Sequence, residues 1–206
     1  MDFEHLPFED RPDLTPYLVH LTKNTTAADD FSALDNLISI LMRGEVWGSS
    51  TRSGFIKGPN TATCFMDVPF QALKYILNKE NSNPTNPRYE PYGIFVTKKI
   101  AYKRGCRSVL YLSDAELELL KIPKSEWWRV VKFEASSEGW ISWIHEREWR
   151  CPGAFKMPNT PSGVLVKDPS DAENLRDRIS AEPEKFKIKP RSIIPLSVIC
   201  QGLPRF

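Results

Sequence analysis

The chain has 206 residues and a formal net charge of +2, and this length supports one sizeable core but is short for two. Hydrophobic residues make up 41% and charged residues 26%, proportions that are typical of a globular protein. A net charge so close to zero does not by itself indicate binding to nucleic acid or to a membrane surface. We therefore expect a single domain over residues 1–206, with residues 1–16 as an extended leader.

Short apolar runs of strand length recur along the chain. In chain order they predict strands at 17–21, 46–49, 63–66, 92–97, 108–112, 128–133, from Glu146 onward, 163–166 and 192–199. Apolar residues at helical spacing predict four helices between them. The signals that begin these helices are Asp30, Pro69, the Ser113–Glu116 capping box and the Ser170–Glu173 capping box. Because many strands follow one another directly, the pattern favours an α+β fold over a wound parallel sheet.

The cysteines, the histidines and the N-terminus restrict the classes of function. Four cysteines are scattered without a C-x-x-C pair, which is typical of buried thiols in a reducing compartment. The three histidines show no zinc-ligand spacing, and the chain begins without the features of a secretion signal. No apolar run reaches the length of a membrane span. We predict a cytoplasmic protein with no metal and no membrane partner.

The segment Trp140–Arg150 is the strongest candidate for chemistry. Its first half, up to Ile144, has apolar residues at helical spacing. From there the pattern alternates, and it predicts that Glu146, Glu148 and Arg150 share one face of a strand. Two carboxylates so placed repel each other unless arginines offset them, which is typical of a functional site. A surface lattice of Glu–Arg pairs, which contributes little to stability, is the alternative.

Two further segments contain polar residues that suit ligand binding. His20 lies inside an apolar strand, where a histidine is either a ligand contact or a satisfied strand residue. The loop from Ser49 to Asn60 contains hydroxyls, glycines and Arg52, and such a loop either cradles a phosphate through its backbone N–H groups or is an ordinary flexible connection. It does not fit the spacing of the known nucleotide-binding loops.

One stretch is strongly basic. Lys98, Lys99, Lys103 and Arg104 cluster around Tyr102. Cations interleaved with an aromatic residue are able to hold a nucleic-acid phosphate backbone. A solvated helix face is the simpler interpretation of the same pattern.

Several of these segments resemble known families. Residues 18–22, 37–44 and 47–50 are similar to the opening of ADP-ribosyltransferase folds, among them the DarT-type toxins that ADP-ribosylate DNA. Residues 63–69, 92–112, 146–153 and 193–196 resemble AbiGi-type abortive-infection proteins of bacterial phage defence. The resemblance covers most of residues 17–200, and it implies an α+β fold of split, mostly antiparallel sheets with about four helices.

The resemblance also implies roles for individual residues. Glu148 matches the catalytic glutamate, and Glu146 matches the upstream position of the E-x-E form of that motif. The substrate implied is NAD, with no metal. NAD contacts are predicted at His20, Thr22, Ser49, Ser50, Arg52 and Phe65, and nucleic-acid contacts at Lys98, Lys99, Lys103 and Arg104. The chain departs from the family pattern because it has no extended S-T-S motif and no H-Y-E arrangement.

The chemistry of NAD cleavage suits these residues. Loss of nicotinamide builds positive charge on the ribose, and a fixed carboxylate stabilises that charge. Our leading hypothesis is an ADP-ribosyltransferase-like toxin or phage-defence effector, with nucleic acid, protein or water as acceptor and an antitoxin or phage trigger as partner. The alternative is a non-enzymatic module of phage defence that binds nucleic acid or a protein partner, as the basic stretch suggests.

Overall fold

A computed structural model describes residues 11, 13–25, 31–49, 56–82, 86–137, 139–158, 163–200 and 203. The chain divides into two compact units. Unit 1 consists of Met1–Gly44, Val68–Thr97 and Met157–Phe206, and unit 2 consists of Glu45–Asp67 and Lys98–Lys156. The single domain that the length predicts stays a prediction.

The described residues form short strands and mostly short helices. The strands are β1 (Tyr17–Leu21), β2 (Glu45–Val46), β3 (Ala62–Phe65), β4 (Gly93–Thr97), β5 (Arg107–Ser108), β6 (Leu110–Leu112), β7 (Val130–Lys132), β8 (Glu134–Ser136), β9 (Gly139–Ile141), β10 (Trp149–Pro152), β11 (Phe155–Lys156), β12 (Gly163–Val166) and β13 (Ile193–Pro195). The α-helices are α1 (Ala33–Arg43), α2 (Leu73–Ile76), α3 (Lys98–Lys103), α4 (Asp114–Leu119), α5 (Pro169–Ala181) and α6 (Leu196–Ile199). Three 3-10 turns cover Phe70–Ala72, Lys124–Arg129 and Ile144–Glu146. The described α-helices outnumber the four predicted ones by α3 and α6, which are short and, unlike α2 and α4, were not marked by a predicted start signal.

Unit 1 is built on one four-stranded sheet in the order β1-β4-β12-β13. Its pairings are antiparallel except that of β12 with β13, which is parallel. Within β4, a Cβ at Gly93 would lie 2.2 Å from the carbonyl oxygen of His20, so the close approach of β1 requires glycine there. The end of β1 is tied to the start of α1, because the Thr22 hydroxyl donates to the carbonyl of Ala33 over 2.8 Å.

Helix α1 begins and ends on local signals. Ser32 and Asp35 form a reciprocal capping box at its start, and the predicted cap Asp30 lies outside the described residues. Gly44 ends the helix with a φ of 77°, a conformation that glycine adopts without strain. Ser32 therefore caps α1 two residues after the predicted start signal.

Two predicted elements near the C-terminus differ in the structure. Helix α5 begins before the predicted capping box, because Asp168 accepts a hydrogen bond from the N–H of Asp171 and Pro169 occupies the first helical position. The predicted strand 192–199 ends at Pro195, where β12 also ends, and α6 follows. Proline has no N–H with which to extend the ladder, so the strand prediction beyond Pro195 is wrong.

Unit 2 contains several small sheets. Strand β10 is the centre of a three-stranded antiparallel sheet with β3 and β5, while β2 pairs with β11 and β8 with β9, also antiparallel. Strands β6 and β7 are parallel. In the core, Phe65 packs edge-to-face against Phe155 with ring centroids 5.0 Å apart. The α+β class with mostly antiparallel sheets is confirmed.

The helical spacing of Trp140–Ile144 does not produce a helix. Residues Gly139–Ile141 pair with β8 instead, and a 3-10 turn follows. Trp140 remains 70% exposed and Ile144 54% exposed, so no core selects a buried helical face here. In the described part of the chain, no helix combines the length and the apolar character that a membrane span needs.

Candidate functional site

The Glu146–Arg150 segment of unit 2 is not one continuous strand. A 3-10 turn ends at Glu146, Arg147 adopts a left-handed conformation with a φ of 44°, and β10 begins at Trp149. The predicted single strand face shared by Glu146, Glu148 and Arg150 is therefore wrong, because the left-handed residue interrupts the alternation. Both glutamates are nevertheless buried, each with 7% of its surface exposed.

Arg150 forms a bidentate ion pair with the carboxylate of Glu148. Its Nε donates to Oε1 over 2.8 Å and its Nη2 donates to Oε2 over 3.1 Å. The remaining guanidinium nitrogen, Nη1, donates to the carbonyl oxygens of Trp128 and Val130. Arg150 is only 2% exposed. A buried pair with paired charges and satisfied donors fixes both side chains in one geometry.

The thiol of Cys64 completes this buried cluster. Cys64 on β3 stands opposite Arg150 on β10 in the antiparallel register. Burial, and next the neighbouring carboxylate of Glu148, raise the pKa of the Cys64 thiol well above its ordinary value, while Arg150 opposes this rise. Cys64 is therefore a neutral thiol near neutral pH and a poor nucleophile.

Tyr111 positions the backbone at Glu148. Its hydroxyl accepts a hydrogen bond from the N–H of Glu148 over 3.0 Å and lies 3.4 Å from the carbonyl oxygen of Trp143. The carbonyl of Glu148 in turn accepts from the N–H of Val109. Burial raises the pKa of Tyr111 above its ordinary value, so the hydroxyl stays protonated. Tyr111 was not predicted as a site residue, since nothing in a short apolar strand indicates which group its hydroxyl contacts.

Asp67 holds the turn before Glu148. Its N–H donates to the carbonyl of Glu146 over 3.1 Å, and its carbonyl accepts from Nε of Arg147 over 2.8 Å. The Asp67 carboxylate pairs with Nζ of Lys98 at 2.8 Å, and both side chains are largely buried. Lys98 therefore forms a largely buried ion pair within unit 2, unlike the other three cations of the predicted nucleic-acid contact, which are exposed.

The rest of the basic stretch is exposed. Lys99 and Lys103 lie on α3, and Arg104 follows it; all three are exposed to solvent. The guanidinium of Arg107 stacks 3.9 Å from the centre of the Tyr102 ring, so this aromatic residue already has a cationic partner. The structure brings three of the four predicted cations to one short surface segment.

The predicted NAD contacts of unit 1 lie at the end of the first strand. His20 is half-buried on β1, opposite Ile94. Thr22 is 5% exposed, and its hydroxyl lies within hydrogen-bond distance of the carbonyls of Ala33 and Tyr92. These contacts account for the Thr22 side chain within the fold itself.

The predicted NAD contacts of unit 2 differ in exposure. Ser49 is exposed and forms a β-bridge with Ala62, to whose carbonyl its backbone N–H donates over 2.7 Å. Phe65 is 1% exposed and packs against Phe155, so its ring belongs to the core, and its NAD contact stays a prediction. Ser50 and Arg52 lie outside the described residues. Among the described residues, no group of three or more His, Cys, Asp or Glu side chains could hold a metal ion.

Comparisons with known proteins support the fold. No protein-family description and no curated protein matches the chain. DarT of Thermus sp. 2.9 in complex with ADP-ribosylated ssDNA is similar, with a TM-score of 0.50 and 14% identity over 90% of this chain and 96% of that chain. The same protein in complex with NAD+ or carba-NAD+ has a TM-score of 0.49 and 16% identity, over 88% of this chain and 96% of that one. The chain has a DarT-like α+β fold.

Proposed function

We propose that the chain is an NAD-dependent ADP-ribosyltransferase in which Glu148 is the catalytic carboxylate. The observation that supports this most directly is the buried, doubly hydrogen-bonded carboxylate of Glu148, on a chain with a DarT-like fold. DarT has been solved in complex with NAD+ and with ADP-ribosylated ssDNA. For this chain we propose the same substrate and the same type of product.

The geometry of Glu148 suits the chemistry of NAD cleavage. As the bond to nicotinamide breaks, the ribose gains positive charge, and a carboxylate already held in place stabilises it without reorganising. Arg150 takes one lone pair on each oxygen and the Cys64 thiol also hydrogen-bonds this carboxylate, which leaves a further lone pair able to accept from a ribose hydroxyl. The positive charge of Arg150 weakens the field of Glu148, so Arg150 acts here as a positioning residue.

The biological role proposed is that of a toxin or phage-defence effector, after the AbiGi-type resemblance. The acceptor proposed is nucleic acid, for which the exposed Lys99, Lys103 and Arg104 provide phosphate contacts. Transfer to protein or to water, the latter an NAD glycohydrolase activity, requires the same first step. The NAD contacts at His20, Ser49, Ser50 and Arg52 stay predictions.

One assay separates these acceptors. Purified protein is incubated with NAD+ labelled in the adenylate, together with single-stranded DNA, RNA or a bacterial extract. Release of nicotinamide is followed in parallel with transfer of label to each acceptor. We expect nicotinamide release that Glu148→Gln abolishes. Absence of NAD turnover in every mixture by the folded wild-type chain would contradict the proposal.

A second function is favoured by one observation, the exposure of three cations on and beside α3. In this alternative, the chain is a non-enzymatic module that binds nucleic acid. It predicts salt-sensitive binding of an oligonucleotide together with no nicotinamide release. Binding with turnover supports the enzyme instead.

A further inference from the structure

A second cationic surface lies in unit 1, in a segment that neither the resemblance nor the proposed function uses. Between Lys185 and Arg191 basic and non-basic residues alternate. Phe186 and Ile188 are each 4% exposed, whereas the basic residues at 185, 187, 189 and 191 are exposed. This alternation is typical of extended backbone with one face on the core, so it presents a row of four cations to solvent.

The first two cations of the row have partners within the fold. Lys185 forms an ion pair with Glu182, three residues earlier. The stem of Lys187 lies beside Gly44, since a Cβ at Gly44 would meet the Lys187 side chain at 3.4 Å. Its positive charge there complements the C-terminal end of α1. These contacts within the fold therefore account for the presence of Lys185 and Lys187.

The last two cations of the row have no such explanation. Lys189 and Arg191 line a cleft of about 180 Å³ together with Arg176 of α5. None of the residues that line this cleft is acidic. Within the described part of the chain, these three side chains form no hydrogen bond or ion pair. Glu173, one helical turn before Arg176, forms no ion pair with it either.

Three cations that line one cleft with no acidic residue in its lining repel one another, and an anion relieves that repulsion. We propose that this cleft binds the phosphate backbone of a single-stranded nucleic acid. The cleft favours a chain of phosphates over one isolated anion, since Lys189 and Arg191 follow each other on one exposed, extended segment. The half-buried side chains of Ile179 and Ile193 also line the cleft, and a sugar is able to pack against them.

A membrane surface is the other polyanion that a basic patch attracts. Attachment to lipid normally combines the cations with exposed large apolar side chains. None of the exposed large hydrophobic residues of the described chain lines this cleft. The cleft therefore fits a nucleic acid better than a lipid headgroup layer. The inference does not rest on NAD turnover, because it concerns binding alone.

The test measures binding of a fluorescent single-stranded oligonucleotide to the full chain by anisotropy, over a series of salt concentrations. The variant Lys189→Gln/Arg191→Gln is compared with Lys23→Gln/Lys79→Gln, which removes the same charge from exposed positions of unit 1. We expect the cleft variant to bind at least about tenfold more weakly, and its salt slope to fall by about 1.4, or 0.7 for each lost phosphate contact. The control variant should match the wild type.

Further variants keep the test decisive. Lys189→Arg/Arg191→Lys conserves the charge and should retain wild-type binding, and thermal unfolding confirms that all variants fold. Equal losses in the cleft and control variants would assign the effect to net charge and overturn the proposal. Wild-type chain that binds no oligonucleotide would also overturn it, as would binding to phosphatidylserine vesicles that the cleft variant loses while oligonucleotide binding persists. An unchanged salt slope with Lys99→Gln/Lys103→Gln would show that the cleft acts separately from α3.

Discussion

Arg150 and Glu148 form a bidentate ion pair inside unit 2, with donor–acceptor distances of 2.8 and 3.1 Å. The two residues are two positions apart in the sequence, yet the pair depends on a distant segment, because Arg150 also donates to the carbonyls of Trp128 and Val130. The pair thus joins the candidate catalytic carboxylate to the core of unit 2. A substitution at either residue changes both stability and the position of the carboxylate, and the experiments must separate these effects.

The first prediction concerns which glutamate is catalytic. Glu148→Gln should lower the kcat of NAD turnover by about a hundredfold or more, as expected for loss of one preorganised electrostatic contact. Its KM for NAD should change less, since the contact acts chiefly in the transition state. Glu146→Gln should retain substantially more activity. Steady-state kinetics with folded protein check this, and a fully active Glu148→Gln would refute the mechanism.

The second prediction separates the charge of Glu148 from the integrity of the ion pair. Arg150→Lys disturbs the same pair but leaves the carboxylate in place, so it should lower kcat less than Glu148→Gln does. If both variants lose the same activity and the same stability, Glu148 has a structural role only. Kinetics and urea unfolding are measured on the two variants side by side.

The third prediction concerns the stability that the pair provides. Arg150→Met leaves the Glu148 carboxylate buried without a partner, and breaking a buried pair in this way costs about 3–5 kcal/mol. The double variant Glu148→Gln/Arg150→Met removes both charges, so its loss should be smaller than the sum of the single losses. Urea denaturation gives the free energies of unfolding, and simple additivity would show that the two side chains do not interact.

The fourth prediction uses the thiol beside the pair. Because burial and the Glu148 carboxylate raise the pKa of Cys64, its thiolate fraction stays small until the pH rises well above the ordinary thiol range. Alkylation of Cys64 by iodoacetamide should therefore be slow at mildly alkaline pH. Glu148→Gln removes one cause of the raised pKa, so the alkylation profile should shift to lower pH. Peptide mass spectrometry measures the alkylated fraction of Cys64 at each pH. An unshifted profile would contradict the contact between Cys64 and Glu148.

The fifth prediction concerns Thr22, for which a role in NAD binding and a role in the fold compete. Thr22→Val removes the hydroxyl that lies within hydrogen-bond distance of the carbonyls of Ala33 and Tyr92, and loss of such a hydrogen bond costs about 0.5–1.5 kcal/mol. We expect lower stability with an unchanged KM for NAD. A raised KM for NAD in a Thr22→Val variant of normal stability would instead support the predicted NAD contact at Thr22.

Local signals in the sequence were sufficient for several elements. The strand predicted at Tyr17–Leu21 has those bounds in the structure, and the Ser113–Glu116 capping box opens α4 as predicted. Gly44 ends α1 with a left-handed backbone. These features depend on residues within about four positions of one another or on a single apolar run. The contacts that form them are therefore local and can be predicted from the sequence.

The candidate site was decided by tertiary structure. The motif identified Glu148 from the sequence alone, but burial of its carboxylate depends on Arg150, and the raised pKa of Cys64 depends on the register of β3 against β10. The left-handed Arg147 breaks the predicted strand because Asp67 donates to the carbonyl of Glu146 and accepts from the Arg147 side chain, while Tyr111 accepts from the N–H of Glu148. A pattern of alternation describes which face a side chain occupies on a regular strand. It contains no information about a distant segment whose hydrogen bonds override that regularity, and such contacts form only when the chain folds.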